Sequence, residues 1–154
     1  GALDPLVGQR LLPAPPPPPP PTEEKKESFE PVRLLALFQR EGRLVDFLRE
    51  EVAPFSDAQI GAAVRSVHAG CKKVLEQYVR LGPSLAGDEG SNVTVERGFD
   101  PSAIRLLGDV KGDPPFRGTL THHGWRVERL DLPPLPAGQD PRVVAPAEVE
   151  IRPA

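Results

Sequence analysis

Seven consecutive prolines, Pro15 to Pro21, constrain this chain before anything else does. Each fixes φ at about −65° and lacks a backbone donor, so the run can enter neither a helix interior nor a central strand and must stand as polyproline II. The "EEKKE" that follows has the composition of solvated linker, and residues 1–27 are therefore expected to be a disordered, proline-rich spacer extending about 3.1 Å per residue where proline dominates. A ligand for a proline-recognition module is the other use of such a run. A short apolar patch before it, Leu6, Val7, Leu11 and Leu12, has the look of the end of an upstream element. The folded part is expected over residues 28–154, and with 21 prolines and 14 glycines in 154 residues its regular structure must fit between breakers.

Charge and composition exclude several classes of function. The formal charge is only −3, with 19 basic residues interleaved among 22 acidic ones, so no positive field exists to gather phosphates and nucleic acid is not expected as a partner. One cysteine cannot form an internal disulfide and fits a reducing compartment, from which a cytoplasmic address is expected. No apolar run is long enough to span a bilayer, and no secretory leader pattern is visible, so the segment itself should make no membrane contact. The chain begins at Gly1 and contains no methionine. A natural start upstream is expected, with room for an anchor or a further domain.

The first part of the folded region carries helical spacing. In "EPVRLLALFQREGRLVDFLREEV", Pro31 suits a first turn, and Leu34, Leu37 and Phe38, then Val45, Leu48 and Val52, recur at three and four residues to form one apolar stripe. Gly42 should end or kink the first helix. "FSDAQI" then holds a capping box, Ser56 with Gln59, flanked by Phe55 and Ile60 at the positions of a hydrophobic staple. A long third helix is expected over about 57–81, stopped by Gly82 and Pro83. Its seam of Ile60, Val64, Val67, Cys71, Val74, Tyr78 and Leu81 can pack against the earlier helices or against a second copy.

Beyond a Gly, Ser and Asp rich loop at 82–91 the period changes to two. "VTVE" alternates, "AIRLLGDV" places Ile104, Leu106 and Val110 on one face, "GDPP" at 112–115 is a turn, and "EVEI" offers Val149 and Ile151 as a last strand. In "GTLTHHGWRVERLDL" a two-residue loop at His123 and Gly124 would pair His122 with Trp125, Leu120 with Val127 and Gly118 with Arg129. The expectation is an α+β domain: helices over 31–81, the third one long, packed beside a small antiparallel sheet of four to five strands over 92–152.

Few residues invite chemistry. In the expected hairpin His123 occupies the turn and His122 packs beside Trp125, so their rings diverge and do not chelate together. His68 and Cys71 lie one helical turn apart, a spacing two zinc ligands could use, yet Cys71 sits on the apolar seam and no second cysteine exists. "GDVKGD" at 108–113 lacks the ending of a phosphate loop and the helix that should follow it. Neither a metal nor a cofactor is expected. Arg117, Arg126 and Arg129 could dock a partner's carboxylate, although cross-strand pairing with Glu128 or Asp131 would also occupy them.

Taken together, "SDAQIGAAVRSVHAGCKKVLEQY", "GFDPSAIRLLGDVKGDPPFRGTLTHHGWRVERLDLP" and "APAEVEI" resemble the bacterial family of unknown function numbered 2760, over residues 32–152. "PPFRGTL" followed by "HGWR" is the most distinctive part. The resemblance implies no catalytic residue. It does imply genetic association with heat-shock chaperones of the seventy-kilodalton class.

The functional expectation is a non-enzymatic accessory module that binds a protein, a heat-shock chaperone being the candidate the resemblance suggests. The residues for such contact are Trp125, Arg117, Arg126 and Arg129 on the expected hairpin and Lys72 and Lys73 on the outer face of the long helix. Two alternatives stand beside it: a small hydrolase or metal-dependent enzyme using His68, Cys71 and His122, and a structural module in which the helical seam pairs two chains into a homodimer.

Overall fold

In the computed structural model, residues 13–20 and 28–154 are described. Residues 13–20 carry no regular structure and are exposed, as a proline segment must be; the rest of the expected linker lies outside the described residues. The regular elements are α1 (Glu30–Gly42), α2 (Leu44–Arg49), α3 (Asp57–Tyr78), β1 (Val79–Gly82), β2 (Asn92–Val95), β3 (Phe116–Thr119) and β4 (Arg126–Leu130). The architecture is α+β.

Helix α1 has proline in its first turn, as its sequence requires, and ends through Arg43, whose φ of 50° and ψ of 38° are left-handed. Gly42 does not supply that conformation. It is buried for a different reason: a Cβ there would stand 2.5 Å from Cys71 Sγ and 2.9 Å from Cys71 N. Gly70 on α3 is the other half of the contact, since a Cβ on it would meet the Glu41 carbonyl and come within 2.6 Å of Gly42 Cα. The two helices run antiparallel and touch backbone to backbone at this point, with Leu37 and Val74 buried beside it and Arg40 Nη2 reaching Tyr78 Oη at 3.3 Å further along.

The elbow between α1 and α2 lacks a capping residue of its own, because Arg43 cannot accept a hydrogen bond. Gln39 of α1 substitutes. Its Oε1 accepts from Val45 N at 2.9 Å and Asp46 N at 3.2 Å, and its Nε2 donates to Asp46 Oδ2 at 2.8 Å. Helix α3 starts as its sequence dictates: Gln59 N donates to Ser56 Oγ at 3.2 Å and Ser56 N donates to Gln59 Oε1 at 2.9 Å.

The expected last turn of α3 is strand. Tyr78 closes the helix, and the chain passes directly into β1, which pairs antiparallel with β4: Val79 with Leu130, Arg80 with Arg129, Leu81 with Val127 and Gly82 with Arg126. Leu81 keeps the helical spacing of the seam but is spent on the ladder, and α3 spans 22 residues, about 33 Å.

The single sheet of four to five strands is also corrected. Among the described residues there are two separate two-stranded ladders, β1 with β4 and β2 with β3. In the second, Asn92 pairs with Thr119, Val93 with Gly118, Thr94 with Arg117 and Val95 with Phe116. The expected hairpin around His123 is not formed, since β3 and β4 belong to different ladders and residues 120–125 cross between them. "AIRLLGDV" is turn and coil, started by Ala103 N and Ile104 N donating to the Asp100 carbonyl, and "EVEI" is unpaired.

Four apolar residues are buried among the described ones: Leu37 on α1, Val74 on α3, Val95 on β2 and Leu120 just past the end of β3. Much apolar surface is left in water, with Leu48, Leu107, Val149 and Ile151 among the large hydrophobics that are mostly exposed.

Two glycines test the helix contact. Gly70→Ala should drive a methyl into the α1 backbone and destabilise the fold by about 2–3 kcal/mol, lowering Tm by about 10 °C. Gly61→Ala, where nothing lies within 4 Å, should stabilise by about 0.5–1 kcal/mol. Thermal denaturation of both reads the difference; equal effects would remove the close contact. At the elbow, hydrogen bonding from Gln39, then Arg43, holds the Asp46 carboxyl below the ordinary carboxylate range. Such a group stabilises the fold above the unfolded carboxylate pKa and loses that contribution as pH falls through its folded value. Asp46→Asn should thus lower stability at neutral pH and match the unsubstituted chain in strong acid, as urea titrations across pH will register.

Candidate functional site

The crossover between the ladders gathers the aromatic and imidazole side chains. Gly124, at φ 70°, lets the chain turn, and it fits only because it has no side chain: a Cβ would stand 2.7 Å from Ser84 Cβ. Leu85 N donates to the His123 carbonyl at 3.0 Å, and Ser84 Oγ donates to the Ala103 carbonyl at 2.7 Å, so the 83–91 loop, the 101–104 turn and the crossover are tied into one corner. Gly90 N donating to the Leu120 carbonyl at 2.7 Å closes it from the other side.

Within that corner the histidine rings do not diverge. They stack, centroids 5.1 Å apart and planes inclined by 19°, and Trp125 stands edge-on to His123 at 4.8 Å and 82°. The reason is the missing hairpin: a crossover wider than two residues puts both rings on one side, and His123 is free of the positive φ expected of it. Both Nε2 atoms face Glu89 Oε1, at 4.0 Å from His122 and 3.8 Å from His123.

The hydrogen bonds of the rings decide what this cluster can hold. Gly124 N donates to His122 Nδ1 at 2.9 Å, so the proton of the neutral His122 ring sits on Nε2 and points at the carboxylate. His123 Nδ1 lies 2.5 Å from the Gly124 carbonyl, a contact that needs a proton on that nitrogen. A metal bridging the two Nε2 atoms would need the opposite tautomer of His122, with Nδ1–H against Gly124 N–H. Both rings face Glu89 without a hydrogen bond to it, and among the described residues no three His, Cys, Asp or Glu side chains are grouped to bind a metal ion. Glu89 sits in an aperiodic loop more than thirty residues away in sequence, and no local signal connects it to the histidines.

His68, Cys71 and His122 are not brought together. His68 is exposed on α3, Cys71 faces Gly42 across the helix contact, and His122 belongs to the corner. Burial pushes the Cys71 thiol above its ordinary value. It should therefore react slowly with a disulfide probe at neutral pH, with a rate profile displaced upward from that of a free cysteine at about 8.5. A profile at or below the free thiol would overturn that assignment.

The six residues expected to meet a partner are dispersed. Arg117 lies on β3, Arg126 and Arg129 on β4, Lys72 and Lys73 on α3, and Trp125 at the corner. Arg129 pairs with Asp131 at 2.8 Å, Glu128 with Arg80 at 3.3 Å, and Lys72 with Glu76 at 3.8 Å. Arg117, Arg126 and Lys73 have no ion pair among the described residues. Trp125 is 63% exposed and Val127, two residues on, 55%.

Three helices joined to two small ladders through an aromatic corner define an α+β module. The chain belongs to the family described as Domain of unknown function (DUF2760), which residues 27–150 match. It is also 31% identical over 107 residues to the 5′-nucleotidase SurE of Haloquadratum walsbyi, an alignment covering 67% of this chain and 38% of that protein. No solved structure matches the chain. No helix among the described residues is long and apolar enough to cross a membrane.

Proposed function

We propose that this domain is a non-enzymatic accessory module that docks a protein partner through the corner around Trp125. One observation carries the reading: a tryptophan in T-shaped contact with His123 is nevertheless mostly in water, next to exposed Val127 and exposed Arg126. A large side chain of little conformational freedom, surrounded by apolar and guanidinium groups, is the composition of a binding hot spot. Arg129, Arg117, Lys72 and Lys73 extend the basic character over neighbouring elements and would meet acidic groups on the partner's rim. The association with seventy-kilodalton heat-shock chaperones that the family resemblance implies makes such a chaperone the first partner to test. A cytoplasmic address accords with that partner and with the single cysteine.

The similarity to SurE favours a second reading, a nucleotidase. It covers the smaller part of that protein, and among the described residues no three ligating side chains are grouped to give it a site.

The chain's only tryptophan makes the test direct. Titration with a purified bacterial seventy-kilodalton chaperone should shift Trp125 emission to the blue as water leaves the ring, and Trp125→Ala should weaken binding measured by calorimetry about thirtyfold, roughly 2 kcal/mol. Unchanged emission and no heat of binding would remove the chaperone as partner. Phosphate release from nucleoside 5′-monophosphates would favour the second reading instead.

A further inference from the structure

A groove of about 840 Å³ lies against the β2–β3 ladder, between it and the 101–111 segment. The two strands line it differently. From β2 only Val93 and Val95 contribute, every second residue, whereas β3 contributes all of Phe116 to Thr119. Alternate residues mark a strand seen on its face, and an unbroken series marks one seen along its edge. The groove therefore runs over the apolar face of the ladder and around the outer edge of β3.

That edge is unpaired. Leu120 N donates to the Ser91 carbonyl at 2.9 Å, so alternation turns Gly118 and Phe116 toward β2 and leaves the N–H and C=O of Arg117 and Thr119 facing outward. A two-stranded ladder with an open edge is marginal in water and accepts a third strand. On one side of the edge stand Phe116 and Leu120 with Val93 and Val95; on the other stands Arg117. Neither Arg117 nor Arg105 on the facing wall has an ion pair among the described residues.

The same chain holds a segment of the complementary pattern. Among the described residues, 148–151, Glu-Val-Glu-Ile, pair with no strand, Val149 is 76% and Ile151 82% exposed, and neither Glu148 nor Glu150 has an ion pair. As a strand, this segment puts two β-branched side chains on one face and two carboxylates on the other. Four residues match the four of β3. Residues 133–148 are held beside α1, where Arg33 donates to the Pro133 carbonyl and Leu135, Val144 and Glu148 line a second cleft with Leu37.

We infer that segment 148–151 of one copy adds as a third strand to the outer edge of β3 in a second copy, forming a reciprocal homodimer. Val149 and Ile151 fill the groove over Phe116 and Leu120, and on the other face Glu148 and Glu150 meet Arg117. The main-chain groups of Arg117 and Thr119 supply the hydrogen bonds, and a two-fold axis repeats the contact. The inference does not use Trp125, although Arg117 belongs to both surfaces.

Sedimentation velocity on the full chain, from low micromolar to a few hundred micromolar, should show a reversible monomer–dimer equilibrium. The double variant Val149→Asp/Ile151→Asp, on a segment that pairs with nothing in the fold, should keep the same Tm and weaken the dimer at least tenfold. Arg117→Glu and Glu150→Arg should each weaken it severalfold, and their combination in one chain should restore it. A monomer throughout overturns the inference. So does a dimer indifferent to the Val149/Ile151 variant, whose interface would lie elsewhere, such as the α3 seam. A dimer sensitive to that variant but not to Arg117→Glu, or not restored by the charge exchange, places the segment on another surface and overturns it equally.

Discussion

The backbone contact between Gly42 and Gly70 is the constraint on which the helical half rests. Helices α1 and α3 come closer there than any side chain allows, and this proximity lets residues as small as Leu37 and Val74 close the space between them. With so few packed apolar residues, the fold has little room for slack at this point; a methyl would separate the helices along their shared length. Cys71 completes the contact as a small hydrophobe against Gly42, which accounts for its thiol being both partly covered and hard to ionise.

The other half is organised by a corner. Two ladders of two strands each cannot bury much, and what joins them is a set of loop-to-loop hydrogen bonds through Ser84, Leu85, Gly90 and the crossover at 120–125. The histidines serve this corner. Their Nδ1 atoms meet the Gly124 backbone and their Nε2 atoms face the Glu89 carboxylate. The surface left over is apolar, basic, and close to open strand edges. That surface is the one proposed to dock a partner.

Local chemistry was legible in the sequence, and long-range pairing was not. The capping box at Ser56 and Gln59, the start of α1 at its proline and the β2 strand all depend on residues within a few positions of one another, and each stands where its signal lies. The hairpin failed because turn composition cannot report which strand a segment will pair with: β3 finds β2 and β4 finds β1, each across more than twenty residues. Leu81 sustained the seam's spacing, so only its partner Val127 could reveal it as strand. The apolar alternation at Ile104 and Leu106 is real, but Asp100 starts a turn there that removes the segment from any ladder. Gly42 was recognised as a helix boundary for the wrong reason, since a glycine kept for space and one kept for conformation look alike in one sequence. Of the candidate site, Trp125 and its arginines were visible as residue types; Glu89 and the stacking of the rings were not.

Gln39 has a consequence for how the helical half assembles. By bonding forward to Val45 and Asp46, the last full turn of α1 specifies where α2 begins, so the elbow is written within a span of eight residues and owes nothing to the rest of the chain. Such a self-latched bend closes only a short loop, and loop-closure entropy there is small. The notch at Gly42 is thereby set in position by its own neighbourhood, ready as a template on which the longer helix docks.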